Sequence, residues 1–167
     1  MKKMIVAILL TFVALFSFSA CGNKYNAKIV ENGVSIHTEW LENNRTYGAF
    51  YENPDCEVEN ERYVQDKISP KTRTYLVKEQ SGLDEIFSDF IPIDFEKEMV
   101  LVYCYTDIYN RNRILGSVCI DENNILQVQF KNKETIRAVG DATMPQGKVL
   151  VIKMDKLEIT DVVITKI

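Results

Sequence analysis

Apolar and polar residues alternate with a period of two along much of this 167-residue chain, the pattern of strands that bury one face. Residues 125–131 show it most cleanly, with Leu126, Val128 and Phe130 on one side and Gln127 and Gln129 on the other. Val34, Ile36, Thr38 and Trp40 form a second such row, opposite Ser35, His37 and Glu39. Residues 46–51, 73–78, 99–106, 114–120, 148–154 and 157–164 are further predicted strands, and Asp121-Glu122-Asn123-Asn124 reads as a turn by composition. Residues 52–70 are polar and acidic, hold Pro54 and Pro70, and read as a long irregular loop.

One segment follows the helical period instead. Ser81 can cap it, Asp84 stands at capping-box spacing, and Leu83, Ile86, Phe87 and Phe90 recur at i, i+3, i+4 and i+7 before Pro92 stops the run. The stripe is narrow and calls for a sheet beneath it. Consecutive strands this closely spaced cannot pair in parallel, because a parallel crossover needs a dozen or more residues. The expected fold is therefore a β-rich α+β domain: a mostly antiparallel sheet or sandwich with one short amphipathic helix packed on it.

The N-terminus follows neither period. Lys2 and Lys3 precede an apolar run from Met4 to Phe18, broken first at Thr11 and Ser17, that is shorter than the roughly 20 residues a spanning helix needs. It ends in small residues, as an export signal does. Ser17-Phe18-Ser19-Ala20-Cys21 resembles the lipobox of bacterial lipoproteins, with Phe18 where leucine is usual. The resemblance implies diacylglyceryl transfer to Cys21, cleavage after Ala20, and anchorage to the extracytoplasmic face of the cell membrane by acyl chains including palmitate. Two or more chains hold a protein stably at a bilayer. The domain reading is then 1–20 signal peptide, 21–27 tether, and 28–167 a single β-rich domain.

Charge narrows the partners. The formal charge of −4 becomes −6 once Lys2 and Lys3 leave with the signal. An acidic domain is repelled by anionic lipid and by nucleic acid, and no basic stripe with interleaved aromatics occurs. Beyond Cys21 the chain has Cys56, Cys104 and Cys119, an odd number for an exported protein. Cys104 and Cys119 lie in apolar runs expected to form neighbouring strands. They are the candidate disulfide; the alternative is two small buried hydrophobes. No Cys-x-x-Cys pair or Cys/His cluster suggests a structural metal, and no cofactor motif is present.

Two stretches in the second half carry a further resemblance: Asp94-Phe95-Glu96-Lys97-Glu98-Met99-Val100-Leu101, and Ala142-Thr143-Met144-Pro145 followed by Val149-Leu150-Val151-Ile152-Lys153. With the strand and helix before them, residues 74–167 resemble the C-terminal domain of a protease-complex subunit family, small exported or lipid-anchored bacterial proteins. The family's glycine-rich turn is replaced here by Tyr109-Asn110-Arg111-Asn112-Arg113. The resemblance implies a non-catalytic protein that assembles or supports a surface protease complex, and it assigns no residue roles.

Catalytic chemistry finds little footing. His37 is the single histidine, so a hydrolase built on a histidine base must use it, and its place on the polar side of an alternating run favours an exposed strand residue. Cys56 is ringed by Asp55, Glu57, Glu59 and Glu61, a setting that disfavours a thiolate. The same acidic run lacks the alternating ligands and turn glycine of a calcium loop. Tyr105, Tyr109, Arg111 and Arg113 cluster at a strand end and in the loop after it, and Tyr and Arg are the types enriched at protein interfaces. They are the candidate interaction residues, with a core or framework role as the competing reading. The functional expectation is a bacterial surface lipoprotein whose domain binds another protein. The alternative is a lipid-anchored module for a small ligand or cell-wall component.

Overall fold

The computed structural model describes residues 25–53, 62–107, 113–132 and 144–166. The chain is β-rich and its sheets are largely antiparallel, as the alternation requires. The strands among the described residues are β1 (Ala27–Ile29), β2 (Ser35–Ile36), β3 (Phe50–Glu52), β4 (Tyr63–Gln65), β5 (Thr72–Val77), β6 (Phe87–Asp89), β7 (Glu98–Asp107), β8 (Arg113–Ile120), β9 (Ile125–Asn132), β10 (Gln146–Asp155) and β11 (Asp161–Lys166). The helices described are short, α1 (Thr38–Asn43) and α2 (Gln80–Ile86).

A four-stranded antiparallel sheet, ordered β1-β10-β7-β5, forms the centre. A three-stranded sheet, β11-β9-β8, packs on one face of it. Met99, Leu101, Tyr103 and Tyr105 of β7 meet Val118 of β8, Leu126, Val128 and Phe130 of β9, and Ile152 and Met154 of β10 in the layer between. The opposite face of the central sheet is covered by the helices: Val100, Val102 and Cys104 of β7 pack with Val151, Trp40 of α1, and Leu83, Ile86 and Phe87. Strand β7 is thus buried on both faces, which explains why its sequence is a continuous apolar run rather than an alternation.

Several local expectations change. Thr38 and Trp40 belong to a helix, not to a strand: β2 ends at Ile36, and α1 turns Trp40 back onto Tyr75, ring centroids 5.1 Å apart. The second helix stops at Ile86, short of Phe90 at the end of its apolar stripe. Phe87–Asp89 pair with β2 instead, and Phe87 still buries its ring. Glu79, not Ser81, is its N-cap residue, and Asp84 accepts a 2.7 Å hydrogen bond from the Gln80 side chain rather than closing a capping box. Asn26 and Ala27, read as tether, are already part of the fold: Asn26 N–H donates to Asp155 Oδ2 at 3.0 Å, and Ala27 opens β1. One pair of strands is parallel, β9 with β11. Strand β10 lies between them in sequence but belongs to the other sheet, and supplies the long crossover that parallel pairing needs.

The segment between α1 and β5 forms a small module of its own. β3 and β4 pair antiparallel, Phe50 opposite Gln65 and Tyr51 opposite Val64. Tyr47 N–H reaches Pro70 O at 2.9 Å and Asp66 N–H reaches Ala49 O at 2.9 Å, closing the module; Phe50 N–H donates to Pro145 O at 2.8 Å and docks it beside β10. Gly48 sits at φ +82°, a left-handed conformation that glycine adopts without steric cost.

Candidate functional site

Each residue singled out from the sequence has a definite place, or lies outside the described residues. Cys21, Tyr109 and Arg111 are outside them, as is the acidic run from 54 to 61. Tyr105 and Arg113 are brought together, but in the interior. The Arg113 guanidinium lies 3.4 Å from the Tyr105 ring centroid and 5.8 Å from that of Tyr103, while Tyr103 stacks on Phe130 at 5.8 Å. Only 2 % of the Arg113 side chain is exposed, and its Nη2 is 3.9 Å from the Asp107 carboxylate. Burial pushes the Tyr105 phenol above its ordinary pKa, against the opposing pull of the Arg113 charge. These two residues are framework, not surface, because the β7 side chains in register with Met99 and Leu101 point between the sheets. The Tyr/Arg surface expected at this strand end is not formed by Tyr105 and Arg113.

The candidate bridge from Cys104 to Cys119 is also corrected. Cys104 is a free thiol, whereas Cys119 is disulfide-bonded. Cys104 points to the helix side of the central sheet, with Val100 and Val102. Cys119 follows core residue Val118 and so faces the outer side of the second sheet, opposite Gln127. The sandwich core separates them, and no disulfide spans that distance. Burial drives the Cys104 pKa up to about 11, which keeps it a neutral thiol.

His37 is exposed at the N-cap of α1, with Nε2 3.2 Å from the Asp84 carbonyl oxygen. That contact is to backbone, so it supplies neither a nucleophile nor an orienting carboxylate. Among the described residues, no group of three or more His, Cys, Asp or Glu side chains could hold a metal ion, and no helix is long and apolar enough to cross a membrane.

A different site emerges where the β3–β4 module meets the central sheet. A groove of about 280 Å³ opens there. Leu41, Ala49, Phe50, Tyr51 and Val149 give it apolar walls, and Cys104 contributes to its lining from β7. Its polar residues are Thr38, Glu42, Asn44, Arg45, Thr46 and Lys148. Several of those groups are engaged within the protein. Asn44 donates to Trp40 O at 2.8 Å and accepts from the Tyr75 hydroxyl; Thr46 Oγ1 and Thr106 Oγ1 are 2.7 Å apart. The Arg45 guanidinium stacks on Tyr51, 3.4 Å from the ring centroid.

Outside the groove the same module exposes a run of apolar side chains: Tyr47, Tyr63 and Val64, and above all Ile68, which is 96 % exposed. The turn that presents Ile68 is braced from within. Asp66 Oδ1 accepts from the Ile68 and Ser69 amides at 3.0 and 2.8 Å, and Oδ2 accepts from the Ser69 hydroxyl at 2.9 Å. Burial raises the Asp66 pKa, but the Ser69 and Ile68 hydrogen bonds outweigh it and the net shift is downward. The acidic composition of residues 52–70 concealed this module. Its one sequence signal was the aromatic-rich stretch at 46–51.

No protein-family model, curated protein or solved structure matches this chain.

Proposed function

We propose that this protein is a lipid-anchored extracytoplasmic domain that binds another protein through the β3–β4 module. The observation that carries the reading is the set of apolar side chains, Tyr47, Tyr63, Val64 and Ile68, that this one module leaves exposed. A fully exposed isoleucine on a hydrogen-bonded turn costs little to order on binding, because its backbone is already fixed. Exposed apolar clusters on small domains mark interaction surfaces. Anchorage through Cys21 would hold that surface at the membrane, and the resemblance of the C-terminal part suggests a surface protease complex as the class of partner. A non-catalytic role fits the setting of the single histidine, whose ring contacts a backbone carbonyl.

The test is crosslinking in intact cells with tagged full-length chain, comparing wild type with Ile68→Asp and Tyr47→Ser. Both side chains are exposed, so the fold should survive. A partner recovered stoichiometrically with wild type and lost from both variants supports the reading. Recovery undiminished by either substitution overturns it.

A second reading, a small ligand, rests on the groove itself. Its volume lies at the small end of the ligand-pocket range, and its apolar walls with a few polar groups are the ordinary composition of such pockets.

A further inference from the structure

We infer that the groove accepts a small organic acid: an apolar body lying along Leu41, Phe50 and Val149, with its carboxylate on Arg45. The inference rests on the second reading above and names the chemistry of its ligand. The polar lining divides into groups that are satisfied within the protein and one that is not. The side chains of Asn44 and Thr46 are held by Trp40, Tyr75 and Thr106. Arg45 is half-buried, and no carboxylate among the described residues lies within ion-pair distance of its guanidinium. Asp66 feels the Arg45 charge at longer range, but its oxygens are taken up by the Ile68 and Ser69 turn. Stacking on Tyr51 covers one face of the guanidinium and leaves its planar N–H donors at the edge. A fork of donors fixed in this way matches a carboxylate in bidentate geometry.

The rest of the lining agrees in sign. Lys148, on β10, adds a second cation to the groove, with its Nζ 3.4 Å from Gln146 Oε1. Glu42 is the one acid in the lining, on the exposed flank of α1, and disfavours an anion at that position. An anionic ligand therefore has one preferred orientation. The Cys104 thiol remains neutral and adds no negative charge to the lining.

The experiment is an amide-resonance titration of the ¹⁵N-labelled full chain in detergent with two probes of matched shape, 3-phenylpropionate and 3-phenylpropionamide. The acid is expected to shift resonances of Thr46, Ala49 and Val149 saturably, and to bind at least about fivefold more tightly than the amide. The preference should shrink as sodium chloride is added, and vanish in Arg45→Gln while the neutral probe still binds. The salt series needs no variant, so the inference stays testable if Arg45→Gln folds poorly. Equal binding of acid and amide overturns the choice of ligand class and leaves the groove a ligand site. Saturable shifts from neither probe overturn the inference and the small-ligand reading together, while the protein-binding reading stands or falls on the Ile68 crosslinking.

Discussion

At the scale of single residues, burial decides what the chemistry can be. Arg113 is a charge placed among tyrosines with one long ion pair, and its Nε and Nη1 have no hydrogen-bond partner among the described residues. Breaking a buried pair by truncation is far costlier than replacing the group by an apolar one of similar volume. Arg113→Ala is therefore expected to lower stability by about 3 kcal/mol, and Arg113→Met to stay within about 1 kcal/mol of wild type. Urea midpoints measure both; equal losses would mean that packing on Tyr105 is not what the side chain contributes. Cys104 gives a second residue-level test. A buried thiol with its pKa raised to about 11 offers almost no thiolate at neutral pH. Iodoacetamide should leave Cys104 unmodified in the native protein and alkylate it in urea without reductant, whereas Cys119 should need reductant. A disulfide-linked peptide joining the two would contradict the placement of Cys104 and Cys119 on opposite sides of the core.

At the scale of elements, turns and bulges set the register. The β8–β9 ladder shifts between Leu115 and Ser117, and a Cβ on Gly116 would stand 3.1 Å from the Gln129 carbonyl oxygen. Gly116→Ala should cost about 1–2 kcal/mol without changing the fold, read from thermal unfolding. The hairpin turn beyond it is closed by Asp121, whose Oδ1 accepts from the Ile125 and Asn123 amides at 3.0 and 2.9 Å while Asn124 takes φ 59°. The Ile125 amide is the main cause holding the Asp121 carboxyl below its usual range, and Lys153, 2.7 Å away, does the same for Glu98. Carboxyls lowered in the native state add stability above the unfolded values near pH 4, and that stability is lost as pH falls through the native values. The melting temperature should hold steady from neutral pH down to about 5 and fall below about 4. Asp121→Asn should flatten part of that fall, and a melting temperature that rises on acidification below 4 would refute the assignment.

At the scale of the whole molecule, three layers share one strand. β7 carries a core on each face, so the helices and the β3–β4 module are seated by the same strand that seats the second sheet. The groove exists because α1 and β3 cover only part of the helix side of that sheet, leaving Cys104 and Val149 at its lining. Anchorage is a property of the chain as a whole. Cys21→Ala is expected to move the protein from the membrane fraction to the soluble fraction, since two or more acyl chains are what hold such a domain at a bilayer. Unchanged detergent-phase partitioning of that variant would sink the anchor.

What the sequence determined by itself was the part that repeats locally. A period of two identifies β9, an unbroken apolar run identifies β7 as a strand, and Asp121-Glu122-Asn123-Asn124 identifies the turn, because each signal lies within a few residues of its cause. Tertiary structure decided the rest. Thr38 and Trp40 fit a strand by spacing, but Trp40 buries against Tyr75, on a strand distant in sequence, only from a helix. Phe87 and Phe90 fit a helical stripe, yet pairing with β2 ended the helix at Ile86. Tyr105 and Arg113 have the composition of an interface and became core because the second sheet closed over them. The groove was not legible at all. It joins Arg45, Cys104 and Lys148, which lie far apart along the chain, and no local period records a contact made across three elements.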